Sequence, residues 1–160
     1  TAGCLLSLLY LFKIMSPKRI MDLGCGSGIL SIASVKLWPS VKTLALDIDY
    51  DAVETTLENI KVNKVWRQVR CEHSNGFPRV RPGTSKKYDL IVANILAQPL
   101  IALAPHSTSF LRNGGYIVLS GFLETQEREI LAVYNSLGFR IVSRKRLKEW
   151  TTFILKYKRT

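Results

Sequence analysis

The residues of this chain that could do chemistry fall at the ends of short apolar runs. Ile20-Met21-Asp22-Leu23 leads into Gly24-Cys25-Gly26-Ser27-Gly28, and Ile29-Leu30-Ser31-Ile32-Ala33 then starts a helical pattern. A strand that passes through a glycine turn into a helix puts backbone N–H groups at the mouth of a parallel sheet, where open α/β folds bind ligands. A second apolar run ends in Asp47-Ile48-Asp49 and a third in Asn94.

Two ligand chemistries compete for the turn. A dinucleotide fingerprint, G-x-G-x-x-G, needs a third glycine where Ile29 stands. That spacing disfavours a dinucleotide without closing the alternative. A P-loop is ruled out more firmly, because no Gly-Lys-Ser/Thr follows. S-adenosyl-L-methionine has no pyrophosphate but carries an ammonium, a sulfonium, a ribose and an adenine. Asp22 can help hold the ammonium, directly or through water. Asp47 can accept from both ribose hydroxyls, and Ile48 offers an apolar face to adenine. The plain alternative for each acid is a strand-end turn or cap. Cys25 is read as a small residue whose backbone matters, with a reactive thiol as the alternative. Asn94 can orient an incoming amine, or simply end its strand as a turn former. His73 and His106 are isolated and read as structural.

These residues must be positioned by alternating elements. Helices are expected over Ala2 to Lys13, from Ile29 to near Leu37, over Asp51 to Val62, over Gln98 to Leu111 (with Pro105 breaking or kinking it), and over Thr125 to Leu137. Strands are expected at Ile20–Leu23, Val41–Ile48, Val69–His73 (polar, at or near an edge), Tyr88–Leu96, Tyr116–Ser120, Phe139–Leu147 and Thr151–Tyr157. Gly76 to Lys87 reads as a surface loop and Asn113-Gly114-Gly115 as a turn. Helix-separated strands imply right-handed crossovers. The expected fold is a doubly wound α/β three-layer sandwich around a seven-stranded mixed sheet, with the last two strands antiparallel.

The 160 residues suffice for one domain, and 47% hydrophobic with 22% charged is a globular composition. A net charge of +11 suggests an acidic partner such as ribosomal RNA, or merely a basic surface. Cys4, Cys25 and Cys71 show neither metal-ligand spacing nor a disulfide framework, so no metal is expected and a cytoplasmic location is. No apolar run reaches the roughly 18 residues that span a bilayer. The Cys4–Phe12 run resembles a signal core but fits an amphipathic helix better. No membrane partner is expected, and the expected state is a monomer. The start at Thr1 without Met reads as part of a longer protein.

Asp22-Leu23-Gly24-Cys25-Gly26-Ser27-Gly28 with Leu46-Asp47-Ile48-Asp49 resembles the class I S-adenosylmethionine-dependent methyltransferases, which are Rossmann-like. Four further segments narrow the likeness: Asn94-Ile95-Leu96-Ala97-Gln98-Pro99-Leu100, Leu103-Ala104-Pro105, Leu119-Ser120-Gly121-Phe122-Leu123 with Gln126, and Glu149-Trp150. They resemble the catalytic domain of bacterial ribosomal protein L11 methyltransferases, over essentially the whole chain. The resemblance implies cofactor contacts at Thr1, Gly24, Asp47 and Asn94, with Thr1 as the last residue of a His-Pro-Thr-Thr loop. It implies methylation of lysine ε-amines and an N-terminal α-amine of that ribosomal protein. It also implies an N-terminal recognition domain outside this chain. Tyr50 stands where the family usually has Pro. Two rival readings are an RNA methyltransferase, although the Asn94 segment lacks a proline pair, and a non-catalytic RNA-binding module.

Overall fold

The computed structural model describes residues 1–78 and 87–159. The elements run α1 (Ala2–Phe12), β1 (Arg19–Leu23), α2 (Ile29–Leu37), β2 (Lys42–Asp47), α3 (Tyr50–Val62), β3 (Val69–His73), β4 (Tyr88–Asn94), α4 (Ala97–Phe110), β5 (Leu111–Leu123), α5 (Glu127–Ser136), β6 (Phe139–Leu147) and β7 (Trp150–Tyr157). A short 3-10 turn, Glu124–Gln126, precedes α5.

One sheet carries all seven strands in the order β3-β2-β1-β4-β5-β7-β6. β1 pairs in parallel with β2 and with β4, while β7 runs antiparallel to β5 and β6. Alternate residues of β1 serve opposite cores. Met21 and Leu23 pack with Leu100, Ala104, Ile130 and Tyr134 from α4 and α5. Ile20 packs with Leu8, Leu11, Leu30, Val35 and Ile60 from α1, α2 and α3. A strand covered on both faces reads as an unbroken apolar run, and β4 (Leu90-Ile91-Val92-Ala93) does so. The architecture is the expected three-layer sandwich, and β3 lies at an edge as its polarity suggests. Successive strands run outward on either side of the β1–β4 junction, so that junction is the topological switch point.

Three expectations change. α4 runs through Pro105 without a break. Pro105 is on the exposed face, so the carbonyl that loses its N–H partner can be hydrated, and Ser107 and Thr108 return hydroxyl bonds to Ala104 O and Pro105 O. Asn113-Gly114-Gly115 is an irregularity inside β5, between the pairs Tyr88–Leu111 and Leu90–Tyr116. β5 is therefore longer than its apolar centre. The start of the expected Thr125–Leu137 helix is a 3-10 turn whose Gln126 side chain accepts from Leu123 N–H at 2.9 Å. Most of the predicted loop Gly76–Lys87 lies outside the described residues. No described helix is long and apolar enough to cross a membrane.

Candidate active site

The glycine turn is held from two sides. Gly24 N–H and Cys25 N–H both donate to Leu46 O, at 2.8 and 3.1 Å. From α3, Thr56 Oγ1 donates to Gly26 O at 2.9 Å and Asn59 Nδ2 to Ser27 O at 2.8 Å. Thr56 and Asn59 were not singled out from sequence. Their i, i+3 spacing on a helix beside an exposed loop is the available signal. Gly24 has φ +70°, and a Cβ there would stand 2.2 Å from Ile95 Cγ2, so only glycine fits.

Asp47 ends β2 with its carboxylate already placed. Oδ2 accepts from Gly26 N–H at 2.9 Å and Oδ1 from Asp49 N–H at 3.0 Å. Each oxygen keeps a lone-pair direction for a further donor. Asp49 caps α3 by accepting from Asp51 N–H at 3.0 Å. Ile48 is 61% exposed beside this carboxylate. His73, read as structural, is tied to the same rim: Nε2 lies 2.8 Å from Ile48 O, and its ring stacks on Tyr50 at 3.8 Å.

A cleft of about 660 Å³ opens at the switch point. Of the candidate residues Gly24, Asp47 and Ile48 line it. Ser74 and Asn75 also line it and were missed, because a segment after a strand carries no motif; Gln98 and Leu103 line it too, from segments quoted for the family likeness but given no site role. Ile95 borders this cleft, and its neighbour Asn94 borders a smaller one of about 240 Å³ with Thr1, Ser120, Gly121 and Trp150. Thr1 and Asn94, 93 positions apart, meet through Asn94 Nδ2 donating to Thr1 Oγ1 at 3.2 Å. The Asn94 amide oxygen has no partner among the described residues. None of the side chains lining the small pocket is titratable. Trp150 is oriented from its neighbours: Glu127 accepts from Thr151 Oγ1 at 2.8 Å and takes a two-pronged Arg146 fork at 2.8 and 3.0 Å. The Arg146 fork holds the Glu127 carboxyl below its usual range.

Two candidates sit behind the surface. Asp22 is 1% exposed, with Ser31 Oγ donating to Oδ2 at 2.7 Å and Oδ1 buried without a partner. Burial pushes its pKa up to about 6. A direct contact with a ligand ammonium is therefore not in place; the route left is through water or local adjustment. The Cys25 side chain turns to Thr56 Oγ1 (3.4 Å) and Cys71 Sγ (4.0 Å). The Cys71 contact and burial push its thiol up, and the inward-turned side chain disfavours the nucleophile reading. Gly26 lies on the open side, where an added Cβ would meet nothing within 4 Å, and Gly28 caps α2 in the left-handed conformation. Among the described residues no cluster of three or more His, Cys, Asp or Glu could hold a metal.

The donor set fits S-adenosylmethionine. It combines an open glycine turn, a preset carboxylate for a diol, an apolar slot, and a buried carboxyl with an orphan oxygen. Comparison with known proteins agrees with the geometry. The family model described as ribosomal protein L11 methyltransferase (PrmA) matches residues 1–158. A ribosomal protein L11 methyltransferase of a Caulobacter species is 37% identical over 155 residues, covering 97% of this chain and 53% of the relative. One from Mesorhizobium japonicum is 39% identical over 157 residues, covering 98% and 54%. This chain thus spans about half the length of such relatives. A solved ribosomal protein L11 methylase from Lactobacillus delbrueckii subsp. bulgaricus superposes with TM-score 0.86 at 28% identity, covering 99% of this chain and 79% of that one. A precorrin-6y C5,15-methyltransferase from Geobacter metallireducens, at TM-score 0.78 and 16% identity, covers 97% and 87% and shares the fold alone. With the family model matched from the first residue almost to the last, the chain belongs to the ribosomal protein L11 methyltransferase family.

Proposed function

We propose that this chain is the catalytic domain of an S-adenosylmethionine-dependent N-methyltransferase acting on amines of ribosomal protein L11, namely lysine ε-amines and the N-terminal α-amine. The observation that carries the reading is the junction at the end of β4. Ile95 borders the cofactor-sized cleft, and Asn94 borders the neighbouring pocket with Thr1 and Trp150.

When bound, S-adenosylmethionine supplies an electrophilic methyl whose leaving group needs no acid. The chain's own work is alignment. Gly24 and Gly26 give the ligand room, Asp47 accepts from its diol, and Ile48 packs on its base. Asn94 offers its free amide oxygen to an amine N–H, and the Trp150 ring walls the amine's path. The amine must arrive neutral, which for a free lysine near pKa 10.4 costs about 4–5 kcal/mol at about pH 7. The pocket lining contains no titratable side chain to act as base, so desolvation and a neighbouring cation must lower the amine's pKa.

Transfer of labelled methyl to purified L11 and to ribosomal RNA tests the substrate. Label in L11, lost on Asn94→Ala at saturating cofactor by more than any loss of cofactor affinity accounts for, supports the reading. Label in RNA alone contradicts it and favours the RNA methyltransferase alternative.

A further inference from the structure

The sheet has a second cleft, of about 590 Å³, at the ends of β1 and β2 opposite the glycine turn. Arg19 and Lys42 are paired neighbours there, and Leu44 pairs with Arg70. Side chains alternate along strands, so Arg19, Lys42 and Arg70 share one face. The turn from α3 into β3 adds Arg67 and Trp66, a residue 54% exposed. Lys42 Nζ donates to Arg67 O at 3.0 Å, and Arg19 lies over the Tyr88 ring at 5.0 Å, so these two cations are held in place. Four cations face one carboxylate in the lining, Glu72, which pairs with Arg70. Three polar atoms of lining residues, Arg19 Nε, Thr43 Oγ1 and Gln68 Oε1, are buried without a partner among the described residues.

We propose that this cleft binds single-stranded RNA, with phosphates on Lys42, Arg67 and Arg70 and a base stacked on Trp66. An acidic protein would need only the charge. The exposed indole beside planar guanidinium groups is what a stacked base and its phosphate require. The chain's charge of +11 draws any polyanion, and this face gives the attraction a place to end. The Arg19 end of the cleft lies about 13 Å from the glycine turn along β1, while its Leu44 and Glu72 are two positions from Leu46 and Ser74 of the methyl-donor cleft. The inference stands independently of the proposed methyl transfer.

Fluorescence anisotropy with a labelled single-stranded RNA of about 12 nucleotides tests it. Saturable binding is expected, with log affinity falling against log salt at a slope of about −2 to −3, for roughly three or four phosphates. Arg67→Glu with Arg70→Glu should weaken binding at least about tenfold, and the milder Arg67→Gln with Arg70→Gln less. Trp66→Ala should weaken it at least about fivefold without changing the salt slope. Lys145→Glu with Lys148→Glu, at the other end of the sheet, should change it less than about twofold, and thermal melting checks that each variant is folded. No saturable binding at about 50 mM salt, equal affinity for Trp66→Ala, or an equal loss from the Lys145/Lys148 pair would overturn the site. Displacement by poly-glutamate at matched charge would overturn RNA as the occupant in favour of an acidic protein.

Discussion

The amide of Gly26 donates to Oδ2 of Asp47 at 2.9 Å, which makes the glycine turn after β1 and the acid ending β2 one object. The carboxylate is oriented before any ligand arrives, so little ordering remains to be done on binding. Asp47→Ala should weaken S-adenosylmethionine binding by at least about tenfold, the loss of charge-assisted bonds to a diol. Calorimetric titration reads this, and an unchanged affinity would remove the ribose role.

The two glycines of the turn should respond differently to a methyl group. Gly24→Ala drives a Cβ to 2.2 Å from Ile95 and should destabilise the fold by about 2 kcal/mol or more. Gly26→Ala meets nothing within 4 Å, so only its positive φ is penalised, at about 1 kcal/mol. Its Cβ projects into open space on the ligand side. Gly26→Ala should therefore melt near the wild-type temperature yet bind cofactor weakly, and melting curves beside titrations separate the two cases.

Asp22 gives the site a pH dependence. Its carboxyl titrates near 6 in the fold against 3.8 as the ordinary value, because burial disfavours the charge. The folded chain binds more protons between those values, so stability falls as pH rises through that window and levels off above it. Asp22→Asn should raise the melting temperature at about pH 7.5 and change it little near pH 4. A ligand ammonium near Oδ1 favours the ionised form, so cofactor affinity should rise between about pH 5 and 7 and lose that rise in Asp22→Asn. Flat wild-type affinity over this range would contradict the role.

These consequences show which parts were legible in the chain. Strands covered on both faces, such as Leu90–Ala93, and helices with one apolar face announce themselves, and the glycine turn with Asp47 is a local pattern. Thr56, Asn59, Ser74 and Asn75 are ordinary polar residues until the sheet order brings them to the turn and the cleft. Thr1 entered as a site residue only through family resemblance, and its contact with Asn94 was not legible at all. Burial of Asp22 behind Ser31 was not legible either, since alternation along β1 does not reveal how tightly α2 covers that face.

The β6–β7 hairpin should affect turnover and not cofactor binding. Glu127 ties Arg146 to Thr151, next to Trp150. Glu127→Ala leaves Thr151 without its acceptor and Arg146 with only its Glu124 pair, and should lower kcat by about tenfold or more, with cofactor Kd within about twofold. Trp150→Ala should do the same, and Glu127→Asp should recover part of the loss. Methyl-transfer kinetics set beside titration make the distinction, and equal losses in both quantities would make the network merely structural.

The cleft at the β1–β4 junction is proposed to take S-adenosylmethionine and not a dinucleotide. Titration of the chain with S-adenosylmethionine, alone and in the presence of NAD, tests it most directly. Saturable one-to-one binding is expected, which NAD does not displace and which Asp47→Ala weakens by at least about tenfold. Absence of saturable S-adenosylmethionine binding, or its displacement by NAD, would contradict it.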